Sequence, residues 1–295
     1  MLNKKALFII NPVSGKKQIL RLLPNVIQEF MANGYIVTTM VTSRRGEAGE
    51  FAAEYGRNFD LLCCSGGDGT LNETLNGLAR ERIHVPLGYI PCGSTNDFAS
   101  SHSLSGDILT AAKQAASGVI RDYDIGMYGD RYFTYLAAFG VFSWLAYTTD
   151  QNLKNFFGHT AYIIEGIKDV TKIKPVHMKI TANNLVHEDD YIFGVICNSL
   201  SLGGTLVFPK DLVDTADGKF EVLLIKMPRS FIELENVVKC LRNQDYTSPL
   251  IEFFQASDIY VENPDGLEWS LDGECSGFYK KVHIKTLNKF LHLKS

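Results

Sequence analysis

The sequence predicts an α/β domain followed by an all-β domain, and three observations carry that prediction. From residue 1 to about 122, short apolar runs alternate with amphipathic helical patterns, which specifies a mostly parallel sheet with helices on both sides. After Asp122 this gives way to hairpin signals at Gly129-Asp130 and Asn183-Asn184 and to alternating stretches such as 177–181 and 191–196, the signature of an antiparallel sheet. Three polar loops in the first part each follow an apolar run, and open α/β sheets place ligands at the carboxyl ends of their strands.

In chain order, strands are expected near 5–10, 36–41, 60–64 and 87–90, with helices near 17–32, 46–55, 70–79 and 106–117. The first helix carries Leu20, Leu23, Ile27, Phe30 and Met31 as its apolar face. In the second part, helical stretches near 152–171 and 229–243 interrupt the strands. No repeat, low-complexity tract or Pro/Ser linker separates the halves, so a firm domain interface with a cleft is expected.

At 295 residues with 45% hydrophobic content, the chain is long enough for two domains with real cores. The 29 basic and 33 acidic residues are interspersed, which excludes nucleic acid as the main partner for want of a Lys/Arg footprint. No stretch reaches the ~18 uncharged apolar residues of a spanning helix, and Met1-Leu2-Asn3-Lys4-Lys5 runs into a strand, so a soluble cytoplasmic protein is expected. Cysteines 63, 64, 92, 197, 240 and 275 form no Cys-x-x-Cys pair and read as reduced core thiols, with Cys92 and Cys275 lying beside motifs. The seven histidines lack the paired spacing of a zinc site.

The chemistry concentrates in the three loops. Ser65-Gly66-Gly67-Asp68-Gly69-Thr70 follows Leu61-Leu62-Cys63-Cys64 and precedes a helical pattern. Three glycines let the backbone approach a polyphosphate, a helix N-terminus points at the anion, and Asp68 puts a carboxylate where a metal would sit. A strand-to-helix turn without a ligand also favours Gly and Asp, so this loop needs company. It has company in Asn11-Pro12-Val13-Ser14-Gly15-Lys16, which lacks Walker spacing, and in Pro91-Cys92-Gly93-Ser94-Thr95-Asn96-Asp97-Phe98-Ala99.

With these three runs, Gly66 to Glu73, Asp217-Gly218-Lys219-Phe220-Glu221 after Gly203-Gly204, and Leu271-Asp272-Gly273-Glu274, the chain resembles the diacylglycerol kinase catalytic family of lipid kinases, its bacterial soluble branch in particular. The resemblance implies an α/β nucleotide-binding domain over 1–122, a β-sandwich over 123–285 and a return of 286–295 to the first domain. It implies ATP bound through Asn11, Pro12, Ser14, Gly15, Lys16, Gly66, Gly67, Asp68, Gly69, Thr70, Asn72, Glu73, Ser94, Thr95 and Asn96. Thr42 would touch the nucleoside, unless it is simply a β-branched strand residue.

The same resemblance makes Asp68, Asp97, Asp124, Asp272 and Glu274 an acidic catalytic cluster. Asp68 and Asp124 would help hold Mg²⁺, and either Asp272 or Glu274 would be the general base. Asp214 and Asp217 form either a structural magnesium site or a solvated acidic turn. Ser100-Ser101 replaces the arginine usual after Phe98-Ala99, a departure that bears on substrate affinity. Aromatic residues from Phe133 through Tyr147 and at Phe156-Phe157 are either core or an acyl-chain groove, and Lys154, Lys168, Lys172 and Lys174 could meet anionic lipid. The leading expectation is phosphorylation of diacylglycerol to phosphatidic acid by a peripherally membrane-associated enzyme, with a homodimer allowed. The alternatives are another lipid acceptor (sphingoid base, ceramide, monoacylglycerol, undecaprenol), an NAD-kinase-like soluble substrate, or a non-catalytic nucleotide-binding regulator.

Overall fold

The computed structural model describes residues 3–93, 96–140, 173–199, 201–202, 206–208 and 213–295. It divides into two compact units, Met1–Tyr123 with Lys289–Ser295, and Asp124–Asn288.

In the first unit, β1 (Lys4–Ile10) leads through a 3₁₀ turn at Gly15–Lys17 into α1 (Gln18–Ala32), followed by β2 (Tyr35–Val41), α2 (Glu47–Tyr55) and β3 (Leu61–Gly66). Next come α3 (Asp68–Arg80), β4 (Leu87–Pro91), α4 (Asp97–Ser101) and α5 (Ile108–Ser117). Strand β1 pairs in parallel with β2 and β3, and β3 pairs in parallel with β4. Ala6–Ile10 and Leu61–Cys64 are buried without alternation, as strands covered on both faces must be. Helix α5 presents Ala111, Ala112, Ala115 and Ala116, and it approaches β4 so closely that a Cβ on Gly88 would lie 2.5 Å from the Ala115 Cβ.

One expected face is corrected. Helix α1 buries Ile19, Val26 and Phe30 with Leu22 and Leu23 against the core, whereas Leu20 and Met31 are exposed. The core selects the 19–22/23–26–30 stripe, which keeps Leu23 and Phe30 of the expected face and leaves out its flanking Leu20 and Met31.

The second unit holds most of β5 (Ile120–Tyr128), then β6 (Arg131–Phe133), β7 (Leu136–Gly140), β8 (Val176–Ala182), β9 (Leu185–Cys197), β10 (Ser201–Leu202) and β11 (Leu206–Val207). After these come β12 (Phe220–Lys226), the sixth described helix α6 (Phe231–Arg242), β13 (Ile251–Ala256), β14 (Asp258–Leu271) and β15 (Glu274–Lys294), whose end from Lys289 on belongs to the first unit. Among the described residues, antiparallel pairs join β5 with β6, β9 with β7, β8 and β12, β10 with β11, β12 with β13, and β14 with β7, β8 and β15. One core gathers Phe133, Phe139, Phe220 and Trp269, with the Phe139 and Trp269 rings 4.6 Å apart. The other packs Val195, Cys197, Phe208 and Leu223 under Leu234, Val237 and Leu241 of α6.

Turn chemistry sets the hairpin registers. Asn183 and Asn184 (φ +52° and +63°) join β8 to β9, while Asp272 and Gly273 (φ +48° and +85°) join β14 to β15. Two successive positive φ values match the twist of the strands they connect. The helix expected near 229–243 is α6, started by Ser230, whose hydroxyl accepts the Glu233 N–H. The helix expected near 152–171, residues 142–147 and 156–157, and Lys154, Lys168 and Lys172 lie outside the described residues. Within the aromatic stretch that is described, Phe133 and Phe139 are core.

Candidate active site

The three polar loops of the first unit interlock. Asn11 closes β1 by donating its backbone N–H to Ser65 O (2.9 Å) and its Nδ2 to Thr70 Oγ1 (2.9 Å), while its Oδ1 accepts the Val13 N–H. Gly15 sits at φ +54°, and a Cβ there would fall 2.1 Å from Cys92 O, so the first loop lies directly on the third. Gly67 and Gly93 touch backbone to backbone, because a Cβ on Gly93 would meet Gly67 Cα at 2.6 Å. Only glycine permits these approaches. The Cys92 N–H donates to Gly66 O (2.7 Å), and the Phe98 N–H donates to Asp68 Oδ1 (3.3 Å). Asp68 thus opens α3 at the positive end of its dipole, tethered to the start of α4.

The remaining expected nucleotide contacts divide by position. Gly69 is exposed at the first turn of α3, Pro12 and Ser14 are part-buried in the first loop, and Lys16 belongs to the 3₁₀ turn. Asn96, at φ +54°, folds the third loop: its Oδ1 accepts the Gly93 N–H (2.8 Å) and its Nδ2 donates to Gly93 O (2.9 Å). Asp97 opens α4, and Ser94 and Thr95 lie outside the described residues. Asn72 is buried and accepts from Asn76 Nδ2, and the Glu73 carbonyl lies beside Gly49 of α2. The Thr42 hydroxyl donates to Ile10 O (3.3 Å), fastening the end of β2 to β1.

Sequence reasoning missed two supports of this region. The Tyr89 hydroxyl donates to Gly66 O (3.2 Å) from beneath the second loop. His102 stacks on Phe98 with centroids 4.0 Å apart, meets Tyr123 edge-on, and sits 2.9 Å from Phe98 O through Nδ1. Desolvation lowers its pKa to about 4, so it is a neutral buttress for α4. A lone histidine carries no sequence signal for such a role.

The acids of the second unit are held by distant backbone. Asp124 on β5 is 1% exposed, its N–H donates to Thr215 O (2.8 Å), and its Oδ2 accepts the Gly218 N–H (2.5 Å). Asp272 accepts four hydrogen bonds: from Thr134 N–H (2.6 Å) and Oγ1 (2.8 Å) on Oδ2, and from Tyr135 N–H (3.0 Å) and Leu136 N–H (3.1 Å) on Oδ1. Burial pushes its carboxyl above the ordinary value and these donors pull it back. Glu274, two residues on, is half-buried with its Oε2 3.7 Å from the Arg131 guanidinium, which also donates to Cys275 O. Asp214 and Asp217 are exposed, and their carboxylates accept the Ala216 and Lys219 N–H groups of their own turn.

Among the described residues no group of three or more His, Cys, Asp or Glu is placed to hold a metal by itself. A carboxylate such as that of Asp68 in the first unit, or of Asp124 in the second, is the donor type that suits Mg²⁺, a hard cation that usually takes one or two carboxylates and completes its shell with phosphate oxygens and water. Each of these carboxylates is oriented by a backbone N–H. The cysteines are free thiols; burial raises Cys63, Cys92 and Cys197, and raises Cys64 to about 12, leaving Cys275 exposed.

Glycine-bearing loops at the carboxyl ends of parallel strands, followed by an antiparallel β unit, are a frame suited to binding a phosphate-bearing ligand. Residues 5–128 match the family described as diacylglycerol kinase catalytic domain, and residues 138–287 match the one described as YegS C-terminal NAD kinase beta sandwich-like domain. The chain belongs to the diacylglycerol kinase family and is a phosphotransferase, with a β-sandwich as its C-terminal domain. It is 31% identical over 293 residues to the diacylglycerol kinase of Bacillus subtilis strain 168, covering 95% of this chain and 96% of the relative. It is 31% identical over 297 residues to that of Staphylococcus saprophyticus, covering 99% and 94%. A crystal structure of a diacylglycerol kinase from Bacillus anthracis strain Sterne matches with a TM-score of 0.77 at 24% identity, over 99% of this chain and 96% of that one, a likeness of fold.

Proposed function

We propose that this lipid kinase transfers the γ-phosphoryl group of ATP to the hydroxyl of diacylglycerol, giving phosphatidic acid. The observation that carries the reading is the interlocking of the Asn11, Gly66–Thr70 and Cys92–Asn96 loops, which fixes backbone amides and the α3 N-terminus as an anion cradle. The names of the relatives support diacylglycerol as acceptor. Magnesium, held at the Asp68 carboxylate, would neutralise charge on the transferring phosphoryl group.

Glu274 is the general base. Its carboxylate accepts the acceptor hydroxyl proton as that oxygen bonds to phosphorus and the bond to the β–γ bridging oxygen breaks, leaving ADP. Asp272 is not the base, since its four accepted hydrogen bonds occupy the lone-pair sites a proton would need. Arg131, its guanidinium 3.7 Å from Oε2, orients Glu274. Asp214 and Asp217 serve their turn rather than a metal. Among the described residues no helix is long and apolar enough to cross a membrane. Peripheral attachment to the bilayer is part of this reading because the acceptor is a membrane lipid, and exposed Lys174 offers charge to an anionic surface.

The test is a panel of diacylglycerol, sphingoid base, ceramide, monoacylglycerol and undecaprenol with labelled ATP in mixed micelles, beside NAD and water-soluble alcohols. Diacylglycerol is expected to be turned over fastest, and Asp68→Ala to abolish turnover with the fold intact. Turnover of soluble acceptors with none of diacylglycerol would refute the reading.

A further inference from the structure

Asn198, which follows β9, was no part of any motif read from the sequence. It is 3% exposed and contacts three separate segments of the second unit. Its Nδ2 donates to the carbonyl of Asp124 (2.8 Å) and to that of Thr215 (3.1 Å), and its backbone N–H donates to Tyr135 O (2.9 Å). Thr215 O also accepts the Asp124 N–H, and Gly218 of the same turn donates to Asp124 Oδ2. Tyr135, for its part, donates its N–H to Asp272, the residue that sets the turn carrying Glu274. One amide therefore lies between the backbone holding Asp124 and the backbone holding the Asp272-Gly273-Glu274 turn.

Two facts argue that this placement serves more than packing. Two carbonyl oxygens converge on one side of the amide, which only a donor can face, so the orientation of the side chain is determined by chemistry. The opposite atom, Oδ1, is buried with no hydrogen-bond partner among the described residues. A buried acceptor left unmade is destabilising, and such exceptions in a folded interior call for a reason other than stability.

We infer that Asn198 is a positioning residue for phosphoryl transfer, holding the Asp124 strand and the Glu274 turn in one fixed register. The inference rests on the assignments of Asp124 and Glu274 made above. Its action is indirect: it touches neither carboxylate and sets the two backbones from which they project.

The test uses the full chain with Asn198→Asp, which keeps the shape but turns an acceptor toward the two carbonyls, and Asn198→Ser, which keeps one donor. At a temperature where circular dichroism shows both variants folded, kcat should fall about 10–100-fold in Asn198→Asp and less in Asn198→Ser, with KM for ATP and diacylglycerol within about two-fold. Hydrogen exchange should quicken together at Asp124, Gly218 and Thr134–Leu136. If Asn198→Asp does not fold, Asn198→Ser carries the same two measurements, with any folded fraction normalised by active-site titration. Unchanged kcat, or exchange that quickens evenly over the whole unit, overturns the proposal. Asp124→Asn and Glu274→Gln are run in parallel. If they lose activity while the Asn198 variants keep it, Asn198 alone is misassigned; if they keep activity, the acid assignments fail, and the catalytic role of Asn198 with them.

Discussion

Glu221 on β12 is fully buried, with one carboxylate oxygen accepting from Gln255 Nε2 (3.1 Å) and the other without a partner among the described residues. Cys197 faces it across the β9–β12 pairing, and the Asp214 and Asp217 carboxylates add like charge from the preceding turn. Burial, first, and these acids, last, raise its pKa from 4.5 to about 7. The unfolded chain therefore releases the proton near pH 4.5 and the folded chain holds it to about pH 7, so stability is fully present below pH 4.5 and falls as pH rises to 7. Each unit of difference is about 1.4 kcal/mol, which puts the loss at up to roughly 3 kcal/mol. Glu221→Gln keeps the shape and the Gln255 contact but cannot ionise. Urea unfolding followed by tryptophan fluorescence reports on this unit, since Trp269 is buried in its core and the sequence has no tryptophan among residues 1–123 or 289–295. The variant should gain on the wild type steadily between pH 4.5 and 7, and then hold that margin. An unchanged difference between pH 5 and pH 8 would refute the reasoning.

The first unit should respond to pH in the opposite sense. His102, neutral in the fold down to about pH 4, makes stability fall as pH drops below 6.5, and His102→Phe should flatten that limb in exchange measurements on α4. Asp272→Asn and Glu274→Gln should separate fold from chemistry: the former lowers the unfolding midpoint by turning an NH₂ toward backbone donors, while the latter lowers kcat about 10²–10⁴-fold at nearly unchanged stability. Equal kcat losses at equal stability would return Asp272 to candidacy as the base. Gly15→Ala adds a Cβ against Cys92 O at positive φ, a strain of about 1–2 kcal/mol before any clash, and should raise KM for ATP roughly tenfold in steady-state kinetics while leaving KM for lipid alone.

Much of the first unit was legible because its rules are local. A strand buried on both faces is a continuous apolar run, a backbone that must approach another backbone demands glycine, and so β1, β3 and β4 and the loops after them could be placed from Phe8, Cys63 or Gly67 and their neighbours. Hairpins at Asn183-Asn184 and Gly129-Asp130 were legible for the same reason, since positive φ at Asn183, Asn184 and Gly129 selects residues of this kind. The edges of the buried face of α1 were only partly legible: Leu23 and Phe30 pack on the core as expected, but leucines lie on more than one side of that helix, and only the sheet decides that Leu22 is covered and Leu20 is not.

Residue type alone identified Asp124, Asp272 and Glu274 as acids near turns, but their division of labour depends on partners far away in sequence. Asp272 is committed by the Thr134–Leu136 backbone, and Asp124 by Gly218 and Asn198, contacts that no spacing rule encodes. His102 and Glu221 show the same boundary in their titration: desolvation is a property of what packs around a group, so their shifted pKa values exist only once the chain has folded. Backbone conformation is written residue by residue, whereas the state of a carboxylate is written by whichever donors the tertiary fold brings to it.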